Sequence, residues 1–299
     1  MRLRQIEVFH AVYVNGSISA AARALNVSQP AVSKVLHHTQ DQLGFRLFHL
    51  VRGRLIPTEE GHALAREVSD VYNRVSSLRQ AIRNIKGAGG GGHLRVAVVP
   101  SLGLAVAPLA VSRFRQKYPD VTFDVQTVHH ADVFKALYER ECDIVFAYDP
   151  PPHPRMQHVT LAKGRPMLLL HEQRFAHFPD PVALKLLESE DLIGLGITGP
   201  VGDLLAAEIN RQNLAIREVV SAQTFYIAAA IARYAQGITI IDEFTARACA
   251  GDGMVVRAID PKLEFAVQCV FLEDKPPSSM AKKFIDKFRK ALVEQQVQS

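Results

Sequence analysis

Ser17–Phe48, reading SISAAARALNVSQPAVSKVLHHTQDQLGFRLF, decides how the chain is organised. Residues 19–25 are short and alanine-rich, with Ala21, Ala22 and Leu25 at helical spacing toward a small core. Asn26-Val27-Ser28 breaks that pattern. Ser28 is placed to cap a second helix, because its side-chain oxygen can accept from an otherwise unpaired N–H, and Pro30 is tolerated in a first turn. Along this second helix Val32, Val35, Leu36 and Leu43 turn inward, leaving Gln29, Ala31, Ser33, Lys34 and His38 facing out. Two short helices with a tight turn predict a helix-turn-helix.

In such a motif the first exposed residues of the second helix enter a major groove, where Gln can bond adenine and Ser can serve several bases. Gln29 and Ser33 are the base-reading candidates. Lys34 suits a phosphate, which supplies affinity without sequence information. The solvated face of an ordinary helical hairpin would carry similar residues, so the neighbouring sequence has to decide.

On the N-terminal side, Ile6, Phe9, Val12 and Tyr13 recur at helical spacing and stop at Asn15-Gly16. On the C-terminal side, Gly44 ends the second helix and residues 45–56 alternate loosely, with Arg46, Arg52 and Arg54 between apolar residues. This predicts a two-stranded wing with Gly53 at its tip, whose arginines flank a minor groove or meet phosphates. Pro57-Thr58-Glu59-Glu60 opens a helix expected to reach about Lys86, with Thr58 as cap and two acids at the positive end of the dipole. Leu64, Val68, Val71, Val75, Leu78, Ile82 and Ile85 form an a/d seam, which predicts pairing with a second copy.

Taken together, Leu3-Arg4-Gln5-Ile6-Glu7-Val8-Phe9, Gly16-Ser17, Ala21-Ala22, Leu25, Ser28-Gln29-Pro30-Ala31-Val32-Ser33, Leu43-Gly44, Leu47-Phe48 and Pro57-Thr58-Glu59-Glu60-Gly61 resemble the LysR-type transcriptional regulators. The resemblance extends over essentially the whole chain. It implies a winged helix-turn-helix whose DNA-binding set is Ser28, Gln29, Pro30, Ser33, Lys34, Arg52 and Arg54. Two departures stand out. Leu50 replaces an arginine usual two residues after Leu-Phe, removing one wing contact, and Gln40 replaces an acid usual before Leu-Gly, removing a structural ion pair.

Residues 87–92, Gly-Ala-Gly-Gly-Gly-Gly, form a hinge. They lack the Gly-Lys-Ser/Thr ending of a phosphate-binding loop and precede a strand. From His93 onward strands alternate with helices: strands at 94–99, 122–128 and 144–147 with helices at 104–118 and 132–139, then a second set at 167–171, 182–187, 192–195, 201–212, 224–234 and 237–241. Such alternation predicts a parallel α/β sheet. The resemblance adds that 265–272 returns to the first lobe before a final helix at 279–295. The fold expected is α/β with an N-terminal all-α winged helix-turn-helix, a long dimerisation helix and a two-lobed, periplasmic-binding-protein-like effector domain. The boundaries are 1–58, 59–86, 87–92 and 93–299, with lobe I at about 93–161 and 267–299 and lobe II at about 162–266.

Ligands of open α/β sheets collect beyond the strands' carboxyl ends, near helix N-termini. Pro100–Gly103, Gly196–Gly202, Gln223-Thr224 with Asp242, and Tyr148-Asp149 meet that description. Family position implies Ser101, Thr198 and Gln223 as pocket residues, with His129 and His130 in a secondary place. Asp149 and Asp242, if they face the cleft, favour an amino or guanidino group while the helix ends take a carboxylate, which points to an amino acid or derivative. Residues 222–246 also resemble the lysine-, arginine- and opine-responsive members.

Composition agrees. The 299 residues carry net charge +5 and 48% apolar residues, ordinary for a multidomain protein with filled cores. Within residues 1–60, Arg2, Arg4, Arg23, Lys34, Arg46, Arg52 and Arg54 stand against Glu7, Asp41, Glu59 and Glu60, concentrating the basic excess where DNA would bind. No signal segment or membrane span is visible, so a cytoplasmic location is expected. Cys142, Cys249 and Cys269 show no zinc-ligand spacing and are expected to be reduced. Neither a cofactor nor a metal is expected. The partners are double-stranded DNA, a small-molecule effector and further copies of the chain, as homodimer or homotetramer. The competing reading is a cytoplasmic α/β enzyme with a helical docking module, but no G-x-S-x-G, H-E-x-x-H, Walker or dinucleotide fingerprint supports it. A solute-binding protein would need export.

Overall fold

The computed structural model describes residues 1–51, 54–65, 67, 68, 71, 92–194 and 199–297. The chain divides into two compact units, Met1–Gly87 and Ala88–Ser299.

In the first unit α1 (Leu3–Asn15) stops at Gly16, whose φ of 66° permits the left-handed cap. The next helix, α2 (Ile18–Ala24), is capped by Ser17, whose hydroxyl accepts from Ala20 N. Then α3 (Gln29–Leu43) begins with Pro30 in its first turn and ends at Gly44. Strands β1 (Phe48–Val51) and β2 (Arg54–Pro57) pair antiparallel as the wing, and Leu55 N donates to Gly16 O, fastening it to the end of α1. Val8, Phe9, Val12, Ala21, Val32, Leu36 and Leu47 close the core.

Two polar side chains hold the joint between α3 and the wing. Gln40 Oε1 accepts from Leu47 N at 2.8 Å, so this residue replaces an expected ion pair by a direct cap on the chain entering β1. Thr58 caps α4, which starts at residue 59: its hydroxyl accepts from Gly61 N and donates to Arg46 O. Gly61 is needed because a Cβ there would stand 2.3 Å from Leu47 O. Ala65 and Val68 of α4 are buried in the module's own core and Leu64 packs against it, so the seam expected for pairing begins by closing this module. The rest of the seam, the Gly53 tip and residues 87–91 of the hinge lie outside the described residues.

The second unit holds two sheets. In the first, β3 (His93–Val98) lies between and parallel to β4 (Thr122–Thr127) and β5 (Ile144–Tyr148). The helix expected at 104–118 is two helices, α5 (Pro100–Leu104) and α6 (Val106–Lys117), which meet at Ala105. After α7 (Val133–Tyr138) and β5, β6 (Met156–Gly164) forms the far edge, and the chain crosses at Arg165 into β7 (Pro166–His171). The first sheet thus extends to Gly164, beyond the expected boundary near 161.

The second sheet has the order β10-β9-β11-β7-β12-β8, with β8 (Val182–Ala183), β9 (Asp191–Gly194), β10 (Arg217–Ser221), β11 (Ile238–Asp242) and β12 (Met254–Asp260). Helices α8 (Gly199–Arg211), α9 (Phe225–Tyr234) and α10 (Glu243–Ala248) complete it. Strand β13 (Phe265–Leu272) returns antiparallel between β5 and β6, and α11 (Ser279–Val297) packs on α6. Both sheets are therefore mixed, not parallel throughout, because each crossing strand reverses direction. Phe146 stacks on Phe288 at 3.7 Å between centroids while Phe114 and Phe123 meet Phe284, anchoring α11. A second apolar cluster, including Leu168, Leu170, Phe175, Val182 and Ile240, fills the other lobe.

Candidate functional sites

On the first unit, the start of α3 with its cap presents Ser28, Gln29, Pro30 and Lys34 exposed, with Ser33 half-buried, while Val32, Leu36 and Thr39 face inward. Ser28 occupies the cap position but its side chain makes no capping bond, contrary to the reading from sequence. Backbone bonds from Ala31 N and Val32 N to Ser28 O start the helix instead. Gln29 shares a shallow groove of about 790 Å³ with Ser17, Ser19, His37, Gln40 and Arg46. Arg52 lies outside the described residues, and Arg54 opens β2 without a described side chain.

On the second unit, a cleft of about 690 Å³ opens between the lobes. The first lobe contributes Ser101, His129, His130 and Tyr148, and the second contributes Gly199, Pro200, Gln223, Thr224 and Phe225. Ser101 and Gln223 are therefore brought together, and Thr198 lies outside the described residues. The cleft is lined by the first residues of α8 and α9, whose leading N–H groups carry the positive ends of the helix dipoles. Gly199 comes so close to His130 that an added Cβ would lie 3.3 Å from the histidine Cβ.

Asp149 and Asp242 do not line this cleft. Asp149 turns away at a φ of 31°, and its Oδ2 accepts from Ala266 N, closing the end of β13. Asp242 is wholly buried: its Oδ1 accepts from Phe244 N and Thr245 N as the cap of α10, and from the Tyr148 hydroxyl at 2.9 Å. The direct pairing of these acids with a ligand amino group is thereby corrected. Local sequence marks both as strand-end acids but does not tell a helix cap from a pocket wall.

Burial pushes the Tyr148 phenol well above its ordinary range, reinforced by the Asp242 carboxyl, so it stays an O–H donor. Burial also lowers the His130 pKa and leaves its imidazole neutral, with Nδ1 buried and without a partner. No acidic side chain lines the described cleft, although Asp149 and Asp203 act on His130 at its edge, so the positive features at its wall are the helix starts. Elsewhere, burial pushes the Cys142 thiol up to about 12 and raises Cys249 and Cys269, which keeps all three protonated at neutral pH. Among the described residues there is no metal-ligand cluster, and no helix long and apolar enough to cross a membrane.

A winged helix-turn-helix joined in one chain to a two-lobed binding unit defines a DNA-binding regulator governed by a small molecule. Residues 3–62 match the bacterial regulatory helix-turn-helix protein, lysR family, and residues 87–293 match the LysR substrate binding domain. The chain belongs to the LysR family of transcriptional regulators. It is 37% identical over 286 residues to the HTH-type transcriptional regulator DgcR of Pseudoalteromonas sp, covering 96% of this chain and 98% of that one. It is 27% identical to the transcriptional activator protein LysR of Escherichia coli (strain K12), over 95% of this chain and 91% of that one. Full-length CbnR complexed with its target DNA shares the fold, with a TM-score of 0.79 at 21% identity over 97% of this chain and 100% of that one. These relatives are regulators, which sets the enzyme reading aside.

Proposed function

We propose that this regulator reads its operator through Ser28, Gln29, Pro30, Ser33, Lys34, Arg52 and Arg54, and that its effector is a small carboxylate bound by Ser101, Thr198 and Gln223. The observation that carries the effector class is the pair of helix starts, α8 and α9, on a cleft with no acidic lining side chain among the described residues. An anion there gains about 0.3–1 kcal/mol from each dipole end, more where water is excluded. The likeness of residues 222–246 to lysine-, arginine- and opine-responsive regulators supports an effector built on an amino acid. The basic end of such a molecule has no described acid to meet, which favours the carboxylate end as the part recognised.

Residues 59–86 serve as the pairing helix and 87–92 as the hinge of a homodimer or homotetramer working in the cytoplasm, where its DNA lies. Effector binding shifts the arrangement of paired modules on two half-sites, through differential affinity for the arrangements. Titration calorimetry of the full chain with carboxylates, and with amines and neutral analogues lacking the carboxylate, tests the effector class. Binding confined to carboxylates, lost in Ser101→Ala, is the expected result. Binding only of compounds without a carboxylate would overturn it.

A further inference from the structure

Two buried side-chain atoms that belong to cleft-lining residues have no hydrogen-bond partner: Thr224 Oγ1 in the second lobe and His130 Nδ1 in the first. Buried polar groups are ordinarily satisfied, so each such orphan calls for an explanation. Thr224 stands at the cap position of α9, where a threonine hydroxyl ordinarily accepts from an N–H of the first turn. Its side chain makes no such bond. The helix starts instead on the Thr224 carbonyl, which accepts from Ile227 N and Ala228 N. A hydroxyl and the leading N–H groups of α9 are thus left open at one place, and a carboxylate can accept from both.

His130, from the other lobe, lies against the start of α8: a Cβ on Gly199 would stand 3.3 Å from the histidine Cβ and 3.4 Å from its Cγ. This second position differs in charge. Asp203 lies one turn into α8 and Asp149 follows the cleft residue Tyr148, and both act on His130. Two acids there oppose an anion and offset the positive end of α8, whereas Gln223, Thr224 and Phe225 at the start of α9 bring no charge. A neutral imidazole places its one proton on either nitrogen, so Nδ1 can serve a donor or an acceptor of the ligand.

We propose that the cleft holds its ligand by two ends: Thr224 and the start of α9 take the carboxylate, and His130 takes a second polar group on the same molecule, one that is not an anion. The inference rests on the carboxylate reading above and orients it. Each lobe contributes one unpaired side chain, and the ligand satisfies both.

The test is calorimetry of the full chain with graded probes: propionate against lactate and L-alanine, butyrate against 4-hydroxybutyrate and 4-aminobutyrate, and hexanoate against 6-aminohexanoate and L-lysine. In at least one series the native chain is expected to prefer the substituted carboxylate over the plain one by about ten-fold or more. Thr224→Val removes the hydroxyl and keeps the shape, so it should weaken every bound carboxylate by about ten-fold and leave that ratio unchanged. His130→Phe should weaken only the substituted probes and bring the ratio within about three-fold; His130→Leu repeats the measurement with a smaller side chain, and an unfolding midpoint close to native shows which of the two folds. Because the Thr224 hydroxyl has no partner in the free chain, the ligand-free midpoint of Thr224→Val should equal or exceed the native one. A plain carboxylate bound as tightly as its substituted partners in every series, native affinity in Thr224→Val, a ligand-free midpoint of that variant well below native, or an unchanged ratio in the folded His130 variant overturns this inference alone. No binding by any carboxylate overturns the effector reading and this inference with it.

Discussion

The Tyr148 hydroxyl donates to Asp242 Oδ1 at 2.9 Å, and this bond ties the carboxyl end of β5 in the first lobe to the carboxyl end of β11 in the second. Both residues are buried, so the lobes are joined behind the cleft by a bond shielded from water. The same carboxylate caps α10, which makes Asp242 a junction for three elements.

Asp242→Ala should be severely destabilising. It strands two helix N–H groups and the Tyr148 hydroxyl in the interior, and a loss of about 2–4 kcal/mol is expected from the cap and the unsatisfied donors combined. Asp242→Asn, which retains an acceptor oxygen, should lose less than half as much. Urea unfolding followed by circular dichroism separates them; equal losses would contradict the capping role.

On the DNA side, Gln29→Ala should reduce operator preference by about 1–3 kcal/mol while leaving binding to unrelated duplex nearly unchanged. Lys34→Ala should weaken both alike and lower the salt slope by about one ion. Fluorescence anisotropy with matched duplexes distinguishes the two patterns, and identical profiles would refute the division of labour.

Gly61→Ala should loosen the wing. The added methyl would meet the Leu47 carbonyl at 2.3 Å, a group that already accepts from Thr58 N, while the Leu47 N–H donates to Gln40 Oε1. A cost of about 1–3 kcal/mol is expected for such overpacking. By contrast, the atoms nearest a Cβ at Gly194 belong to the Glu218 side chain and not to backbone, so Gly194→Ala should cost less. Thermal unfolding midpoints of the two variants give the comparison.

Acid sensitivity should trace in part to Asp143. Burial alone would raise its pKa, but the hydrogen bonds and charges of Arg95 and Lys275 outweigh burial and hold it below its ordinary 3.8. A folded-state pKa that is depressed contributes stability above the unfolded value and loses it as pH falls through the folded one. Asp143→Asn should therefore flatten the decline of the unfolding midpoint below about pH 4 and leave a constant deficit above it. A variant whose midpoint falls as steeply as the native chain's would exclude this role.

Much of this architecture is legible in the sequence because period and punctuation coincide. Asn15-Gly16, Ser28-Gln29-Pro30 and Leu43-Gly44 bracket helices whose inward residues recur at helical spacing, and β5, β11 and the 96–98 part of β3 are short runs buried on both faces. What escaped has no such contrast. Strand β10 is exposed at every residue and β6 at five of nine, so neither shows the alternation that marks a half-buried strand. The break at Ala105 and the six-residue α10 are too short to carry a period of their own. Strand-to-helix order pointed to the segments that hold Ser101 and Gln223, and family position to the residues themselves. The facing of Asp149 and Asp242 depends on β13 and α10, partners remote in sequence or too short to signal, so their local setting pointed to the cleft.

The most direct test of the account is the binding of the full chain to the DNA immediately upstream of its own reading frame and to scrambled duplex of equal length, over a salt series with and without the carboxylate found by calorimetry. The account predicts an operator preference of about 10³ or more that persists as salt rises, and a change in operator affinity or footprint when the carboxylate is added. Equal loss of both duplexes with rising salt, repeated across genomic fragments and indifferent to the ligand, would contradict it.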